Sequence, residues 1–280
     1  MNGAHEVVIQ GERFAFGENW SRFLRHLNED RIKEAEASLK EMLELDDLTD
    51  KTFLDIGSGS GLFSLAAHRM GAKVHSFDYD PRSVACTLEL KQRFFPDDQS
   101  WTIEQGSVLD TVYLSRLGTW DIVYSWGVLH HTGNLWQAVE NAIQLVRPGG
   151  LLFLAIYNDE GRKSSRWARL KKLYNRKPWV RPFLLAYGFV HVWGRTCLIE
   201  LLSLKPMASW RTYITSRGMS PWHDLVDWMG GFPYEPATPD AVFDFCRKHG
   251  FTLQRLITRQ GTGNNEFVFQ KKHGDQVTID

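Results

Sequence analysis

Cysteine is scarce in this chain: three residues, Cys86, Cys197 and Cys246, lie far apart, with no C-x-x-C pair. That spacing excludes a disulfide scaffold and a cysteine-based zinc site, and it fits a reducing, cytoplasmic setting. Net charge is lacking too. The 33 basic residues match 33 acidic ones, so no global field draws the chain to nucleic acid. The most apolar stretch, Phe183–Leu204, is broken by His191, Arg195 and Glu200 and makes a poor bilayer span. His5, Glu6, Glu12 and Arg13 come early, so the N-terminus does not read as a signal peptide. There is no internal repeat and no low-complexity tract. What is present is 280 residues, 43% hydrophobic and 24% charged. That is the composition of a globular protein with one large domain, or one domain carrying an insertion.

The stretch that organises the chain is Thr52 to Ala67. Phe53, Leu54 and Ile56 read as a buried strand, three glycines then alternate with serines, and a helical pattern follows from Leu62 to Gly71. Strand, glycine turn and helix bring backbone N–H groups and a helix N-terminus against a polar ligand. Gly57, Gly59 and Gly61 are expected to allow positive φ and close approach, with Ser58 between them. Asp55 adds a carboxylate to the crevice. The spacing is G-x-G-x-G, not the G-x-G-x-x-G of a dinucleotide site, and the Gly-Lys-Ser/Thr ending of a phosphate loop is missing. An acid before the glycines suits a cationic amine better than a pyrophosphate.

Lys73–Asp78 predicts a second strand ending in an acid, 23 positions after Asp55. That is near the ~20-residue spacing at which such a carboxylate accepts ribose hydroxyls. Asp80-Pro81 predicts an N-cap with proline in the first turn of the next helix. Further strands are expected at Trp101–Glu104, Asp121–Ser125 and Leu151–Tyr157, with a helix from Asn134 to Leu145. A helix from Thr238 to Gly250 precedes a hairpin of Phe251–Thr258 and Asn265–Lys271. Upstream, a helix from Arg31 to Leu45 buries Ile32, Ala35, Leu39 and Met42, and residues 1–12 are expected to be loosely ordered. An aromatic cluster, Phe14 to Trp20, precedes that helix. Trp20 reads either as core packing or as a flap whose indole face lies near a cation.

Asp55-x-Gly57-x-Gly59-x-Gly61 resembles the first motif of the class I S-adenosylmethionine (SAM) methyltransferases. Asp121-Ile-Val, Val128-Leu-His-His131 and Arg147-Pro-Gly-Gly-Leu-Leu152 resemble the later motifs, above all those of the bacterial quinone-methylase-like group, methyltransferase types 11 and 12. The resemblance covers roughly residues 50–157 and 238–272. It implies an α/β, Rossmann-like doubly wound sheet of seven strands in the order 3-2-1-4-5-7-6, with the last strand antiparallel. It implies SAM as cofactor, held by Asp55, Gly57, Ser58, Gly59, Gly61, Asp78, Tyr79, Ser107, Val108 and Trp126, with Trp20 added from the flap reading. Ser107 stands where the family often has Asp against the adenine, which leaves the acceptor of the adenine amino proton open.

The expected organisation is an N-terminal helical cap (1–50), the SAM-binding core (51–157 and 236–272), a helical insertion (158–235) and a tail (273–280). The insertion holds six of the eleven tryptophans. Between Gly161 and Ser220 it has thirteen Lys or Arg and one acid, Glu200. Three readings compete: a helical cap with its own aromatic core, a lid over an apolar or anionic substrate, and an interface for RNA or a membrane surface. The lid is preferred, and Phe183–Leu204 is expected to be a buried cap helix.

Methyl transfer from a sulfonium is an in-line displacement in which the protein supplies alignment and a dry site. A hydroxyl or amine acceptor needs a base. His131 first, then His130, stand where the resemblance places the transferred methyl, and Tyr157 and Asn158 point to the same rim as substrate contacts. Asn264, Asn265 and Glu266 at the hairpin tip are weaker candidates. The expected acceptor is a small molecule, methylated on O, N or C. One alternative enzyme closes SAM on itself, to azetidine-2-carboxylate and methylthioadenosine. A third reading is an RNA methyltransferase or RNA-binding module. No metal and no nucleic-acid partner is expected, a peripheral membrane contact is left open, and the oligomeric state is not legible.

Overall fold

A computed structural model describes residues 17–203, 209 and 221–273. Residues 1–12, Phe14, Phe16, Trp210 and all but the first residue of the 273–280 tail therefore lie outside the described residues. The chain enters through α1 (Gly17–Leu24) and α2 (Glu29–Leu43) and then alternates strand and helix: β1 (Thr52–Ile56), α3 (Leu62–Arg69), β2 (Lys73–Asp78), α4 (Pro81–Phe94), β3 (Trp101–Gln105), α5 (Thr111–Leu114), β4 (Trp120–Trp126), α6 (Leu135–Gln144) and β5 (Val146–Tyr157). The insertion supplies α7 (Arg162–Arg176), α8 (Arg181–Leu202) and α9 (Pro221–Gly230). α10 (Pro239–Lys248), β6 (Phe251–Ile257) and β7 (Asn264–Lys271) close the fold.

The seven strands run in the order β3-β2-β1-β4-β5-β7-β6. β1 to β5 pair in parallel, and β7 runs antiparallel between β5 and β6. Central strands are covered on both faces, and β1 and β4 are buried along nearly their whole length. One apolar layer lies under α6 and α10, built on Leu54, Val123, Leu152 and Phe267. The other lies under α2, α3 and α4, built on Phe53, Ile122, Tyr124 and Phe153. α2 buries Ile32, Ala35, Leu39 and Met42 as its 3.6-residue period predicts.

Local chemistry sets the element ends. Asp80 caps α4 by accepting the Arg82 N–H at 2.9 Å, and Pro81 opens its first turn. The other oxygen of Asp80 accepts the Gly17 N–H at 3.0 Å, which docks α1 on α4. β5 begins earlier than the expected Leu151: Arg147–Gly150 are part of it, with a register shift opposite Trp120–Ile122. Glycine is required there: a Cβ at Gly150 would lie 2.9 Å from the Asp121 carbonyl, and one at Gly149 (φ +76°) 2.4 Å from the His273 ring.

The insertion departs from expectation at α8. Its apolar run predicts a buried cap helix, yet Gly188 is the one residue along it that is buried. A small aromatic core forms behind it from Trp167, Tyr174, Met229 and Tyr234.

Candidate active site

A cavity of about 1020 Å³ opens at the C-terminal ends of β1, β2 and β4. That is where open α/β sheets bind ligands, outside the carboxyl ends of the strands.

Its floor is the glycine turn. Gly57, Gly59 and Gly61 all have positive φ (+79°, +57° and +81°). A Cβ on Gly57 would lie 2.4 Å from Val128 Cγ1, and one on Gly59 3.1 Å from the Trp20 ring. The expectation of bare N–H groups facing a ligand is corrected here. The Gly57 and Ser58 N–H groups donate to the Phe77 carbonyl at 2.8 and 3.2 Å, and Gly61 donates to the Ser58 carbonyl at 2.8 Å. Gly59 donates to Asp78 Oδ2 at 3.0 Å. The Ser58 hydroxyl pairs with Thr87 Oγ1 at 2.9 Å. Parallel pairing of β1 with β2 brings Phe77 and Asp78 beside the turn, which satisfies these donors internally. What the floor offers is carboxylate, a poor cradle for a phosphate and a good one for a cation.

Two acids supply it, Asp55 buried and Asp78 half-buried. Asp55 accepts a short hydrogen bond from Ser64 Oγ. Ser64 in turn accepts from Ser76 Oγ at 2.7 Å, and Ser76 from Trp101 Nε1 at 2.9 Å. This chain of donors, all aimed one way, fixes the carboxyl at the cavity wall. Burial, with the Asp78 charge adding to it, pushes Asp55 up to about 7 against the Ser64 hydrogen bond. Asp78 accepts N–H groups from Gly59 and, at 2.8 Å, from Asp80, and burial still raises it to about 6. Each of its oxygens keeps a lone pair for a hydroxyl.

Trp20, Tyr79, Ser107, Val108 and Trp126 all line the cavity. α1, held on α4, sets Trp20 against Gly59, while its edge meets Phe23 at 6.1 Å between centroids. Trp20 thus does both things the sequence allowed: it packs and it faces the cavity. The Val108 carbonyl is already taken by Asn141 Nδ2 at 2.7 Å, so Val108 offers apolar contact.

At the rim, the two histidines part ways. His131 lines the cavity. Its Nδ1 bonds the Pro233 carbonyl, so in the neutral ring Nδ1 donates and Nε2 is the acceptor nitrogen. Burial lowers it to about 3, with the Lys171 charge adding to the effect and the Pro233 carbonyl opposing it. His130 is corrected. It is fully buried, it does not line the cavity, and its Nδ1 accepts the Tyr157 N–H at 3.3 Å. It braces the rim. Tyr157 lines the cavity, with its ring 5.6 Å from His131. Asn158 is also corrected: it lies off the cavity wall, giving Nδ2 to the Gly261 carbonyl and accepting from Asn265 Nδ2, each at 3.1 Å. It ties the start of the insertion to the β6–β7 loop. Asn264, a weaker expectation, does reach the wall, and its Oδ1 is buried with no partner among the described residues.

Sequence reasoning missed two groups. Tyr124, opposite Asp55 on β4, lines the cavity with a buried hydroxyl that has no partner among the described residues. A tyrosine inside an apolar strand carries no signal that separates it from core. The second group is the far wall, made by Trp167, Trp193, Leu225, Trp228 and Phe232 from the insertion. Richness in tryptophan pointed there without choosing which rings. Behind this wall Lys171 is fully buried. Its ammonium bonds the Trp228 carbonyl and lies 4.6 Å from the Trp228 ring and 5.0 Å from the Tyr234 ring. Burial lowers it to about 7. Among the described residues, no group of three His, Cys, Asp or Glu is placed to hold a metal ion.

Sheet order, glycine cradle and paired acids together are those of the class I SAM-dependent methyltransferase fold. A family profile described as "Methyltransferase domain" matches residues 25–203, and the chain belongs to that family. Among curated proteins, it is similar to the ubiquinone biosynthesis O-methyltransferase of Escherichia coli (strain K12 / DH10B). The two are 29% identical over 117 residues, 41% of this chain and 46% of that protein. The same figures hold for the enzyme of that name from Shigella boydii serotype 18. The chain thus spans about half the length of the curated relatives it matches. In fold it is similar to the magnesium protoporphyrin IX methyltransferase of Synechocystis PCC 6803 crystallised with SAM (TM-score 0.55, 11% identity, 95% of this chain and 100% of that one). It is also similar to an O-methyltransferase family protein from Burkholderia thailandensis (TM-score 0.53, 13% identity, 95% and 67% of the two chains).

Proposed function

We propose that the chain transfers a methyl group to the hydroxyl of a small, apolar acceptor held under the insertion, which acts as a lid. The observation that carries this reading is His131: a cavity-lining ring whose Nε2 is the acceptor nitrogen and whose basicity is low. Bound on the floor, SAM supplies an electrophilic methyl on a sulfonium. Asp55 is assigned to the ammonium of that ligand and Asp78 to its ribose hydroxyls. Tyr79, Ser107 and Val108 flank the adenine, and Trp20 and Trp126 close over the cofactor. His131 aligns the acceptor O–H and takes its proton as the new bond forms. A hydroxyl that is being methylated is strongly acidic, so a weak base suffices. An amine attacks as its free base and can leave as an ammonium, with no proton that must be taken as the bond forms, so a base placed at the rim is fitted to a hydroxyl acceptor. Tyr157 shapes the rim, and the tryptophan wall excludes water and selects apolar acceptors. The free thiols support a reducing, cytoplasmic setting.

The aromatic wall also supports a second reading, the SAM-closing cyclase, which needs no acceptor. Incubation with SAM alone, then with a pool of hydroxylated and amino acceptors, separates the two by mass spectrometry. S-adenosylhomocysteine formed only with a hydroxylated acceptor supports methyl transfer. Methylthioadenosine above the enzyme-free background, without acceptor, supports the cyclase and overturns the first reading.

A further inference from the structure

α8 exposes apolar side chains on more than one side, Val192 and Ile199 (49% and 52% exposed) among them, and most densely along one stripe. Phe183, Tyr187, Val190, Gly194, Leu198 and Leu201 recur at steps of three and four residues, which places them on one side of the helix. Phe183, Val190, Leu198 and Leu201 are 71%, 68%, 57% and 66% exposed, and Leu202 beside them 76%. At the corner where α7 turns into α8, Trp179 is 70% exposed between the exposed Lys177 and Arg181. Arg195 is exposed about one third of a turn from the stripe. From Gly161 to Ser203 the chain has ten Lys or Arg, of which Lys171 is buried and Lys163 pairs with Glu160, and one acid, Glu200, whose carboxylate accepts the Ser209 N–H. No helix of the described residues is long and apolar enough to cross a membrane.

We propose that this face of α8 and the α7–α8 corner dock on an anionic lipid surface. An apolar helix side beside basic residues, with an indole flanked by Lys and Arg, matches the layers of a lipid interface. The stripe enters the acyl boundary, the indole sits at headgroup depth, and the cations meet lipid phosphates. Charge separates this occupant from a second copy of the chain, whose own α7–α8 region carries the same positive sign and repels it. A helix that lies on the surface rather than crossing it keeps its His191, Val192 and Trp193 side chains at the cavity wall, so one helix borders both bilayer and cavity. The docking claim does not depend on which acceptor is methylated.

The test is co-sedimentation of the full chain with sucrose-loaded vesicles of phosphatidylcholine alone and of phosphatidylcholine with phosphatidylglycerol at equal parts. Binding is expected to the mixed vesicles, to weaken as salt is raised, and to fall at least about tenfold in the variant carrying Phe183→Glu, Val190→Glu and Leu201→Glu. The three side chains are exposed, so the variant is expected to melt within a few degrees of the parent. A second readout does not rely on that variant. An environment-sensitive dye on Val190→Cys, in a Cys197→Ser background, is expected to shift to the blue on adding mixed vesicles. The background needs no further change, because Cys86 and Cys246 are buried. Failure of the parent to sediment, unchanged binding by the triple variant, or an unshifted dye overturns the proposal. So does a concentration-dependent dimer in light scattering that the triple variant abolishes, which would identify the occupant as a second copy.

Discussion

The cavity has two unlike halves. On the floor, β1, β2 and the glycine turn satisfy their own backbone donors and leave two carboxyls, the buried Asp55 and the half-buried Asp78, as the polar offering. On the insertion side, the wall is indole and phenyl, and the nearest buried charge, Lys171, sits behind it with a carbonyl and two rings for company. On the proposed reading, the floor binds by charge and close approach, while the wall binds by shape and exclusion of water. A floor of this kind selects one cation closely, whereas a wall of this kind accepts a range of apolar molecules.

Four substitutions sharpen or break that contrast. The largest effect is expected at the floor. Gly57→Ala adds a Cβ 2.4 Å from Val128 at a φ of +79°. Strain and overlap are expected to cost about 2–4 kcal/mol of stability and to abolish SAM binding, read by thermal melting and calorimetry. His131→Ala, where the halves meet, is expected to lower kcat by about a hundredfold or more, with the SAM Kd within about twofold. An equal loss in Kd would move His131 from the acceptor to the cofactor.

Asp55→Asn is expected to weaken SAM binding about ten- to a hundredfold. Its pH dependence is the finer test. The folded-state pKa, about 7, lies above the ordinary 3.8, so the ligand-free protein binds more protons than the unfolded chain between those values. Its stability from this group is therefore full below about 4 and is lost as pH rises through about 7. A cationic ligand favours the ionised carboxylate, so SAM affinity is expected to rise over the same window, with proton release on binding, and Asp55→Asn is expected to flatten both trends. The smallest effect is expected behind the wall. Lys171 has a folded pKa of about 7 against 10.5, so its destabilisation grows as pH falls from 10.5 to about 7 and is constant below. Lys171→Met is expected to raise stability by about 1 kcal/mol at pH 7 and by nothing near pH 10.5, measured by denaturant melts.

The legibility of the two halves follows from their physics. Gly57, Asp78 and the Asp80-Pro81 cap were readable because backbone geometry and capping leave local signatures. The seven-strand order followed from motif resemblance. The engaged glycine N–H groups were not readable, because their partners, Phe77 and Asp78, come from the next strand. Nor was the division of labour between His130 and His131, which is decided by Pro233 and the Tyr157 backbone. Nor is the anchoring of Asn158 legible, because its partner, Asn265, is remote in sequence. α8 shows the limit of composition most plainly, since an apolar run reads as buried whether it faces a core or the outside.

The most direct test of the account is a matched pair of acceptors on one flat apolar frame, one with a hydroxyl and one with an amine, each incubated with SAM and followed by mass spectrometry. The account predicts a methyl ether and S-adenosylhomocysteine from the hydroxyl alone. Methylation of the amine in preference to the hydroxyl would contradict it.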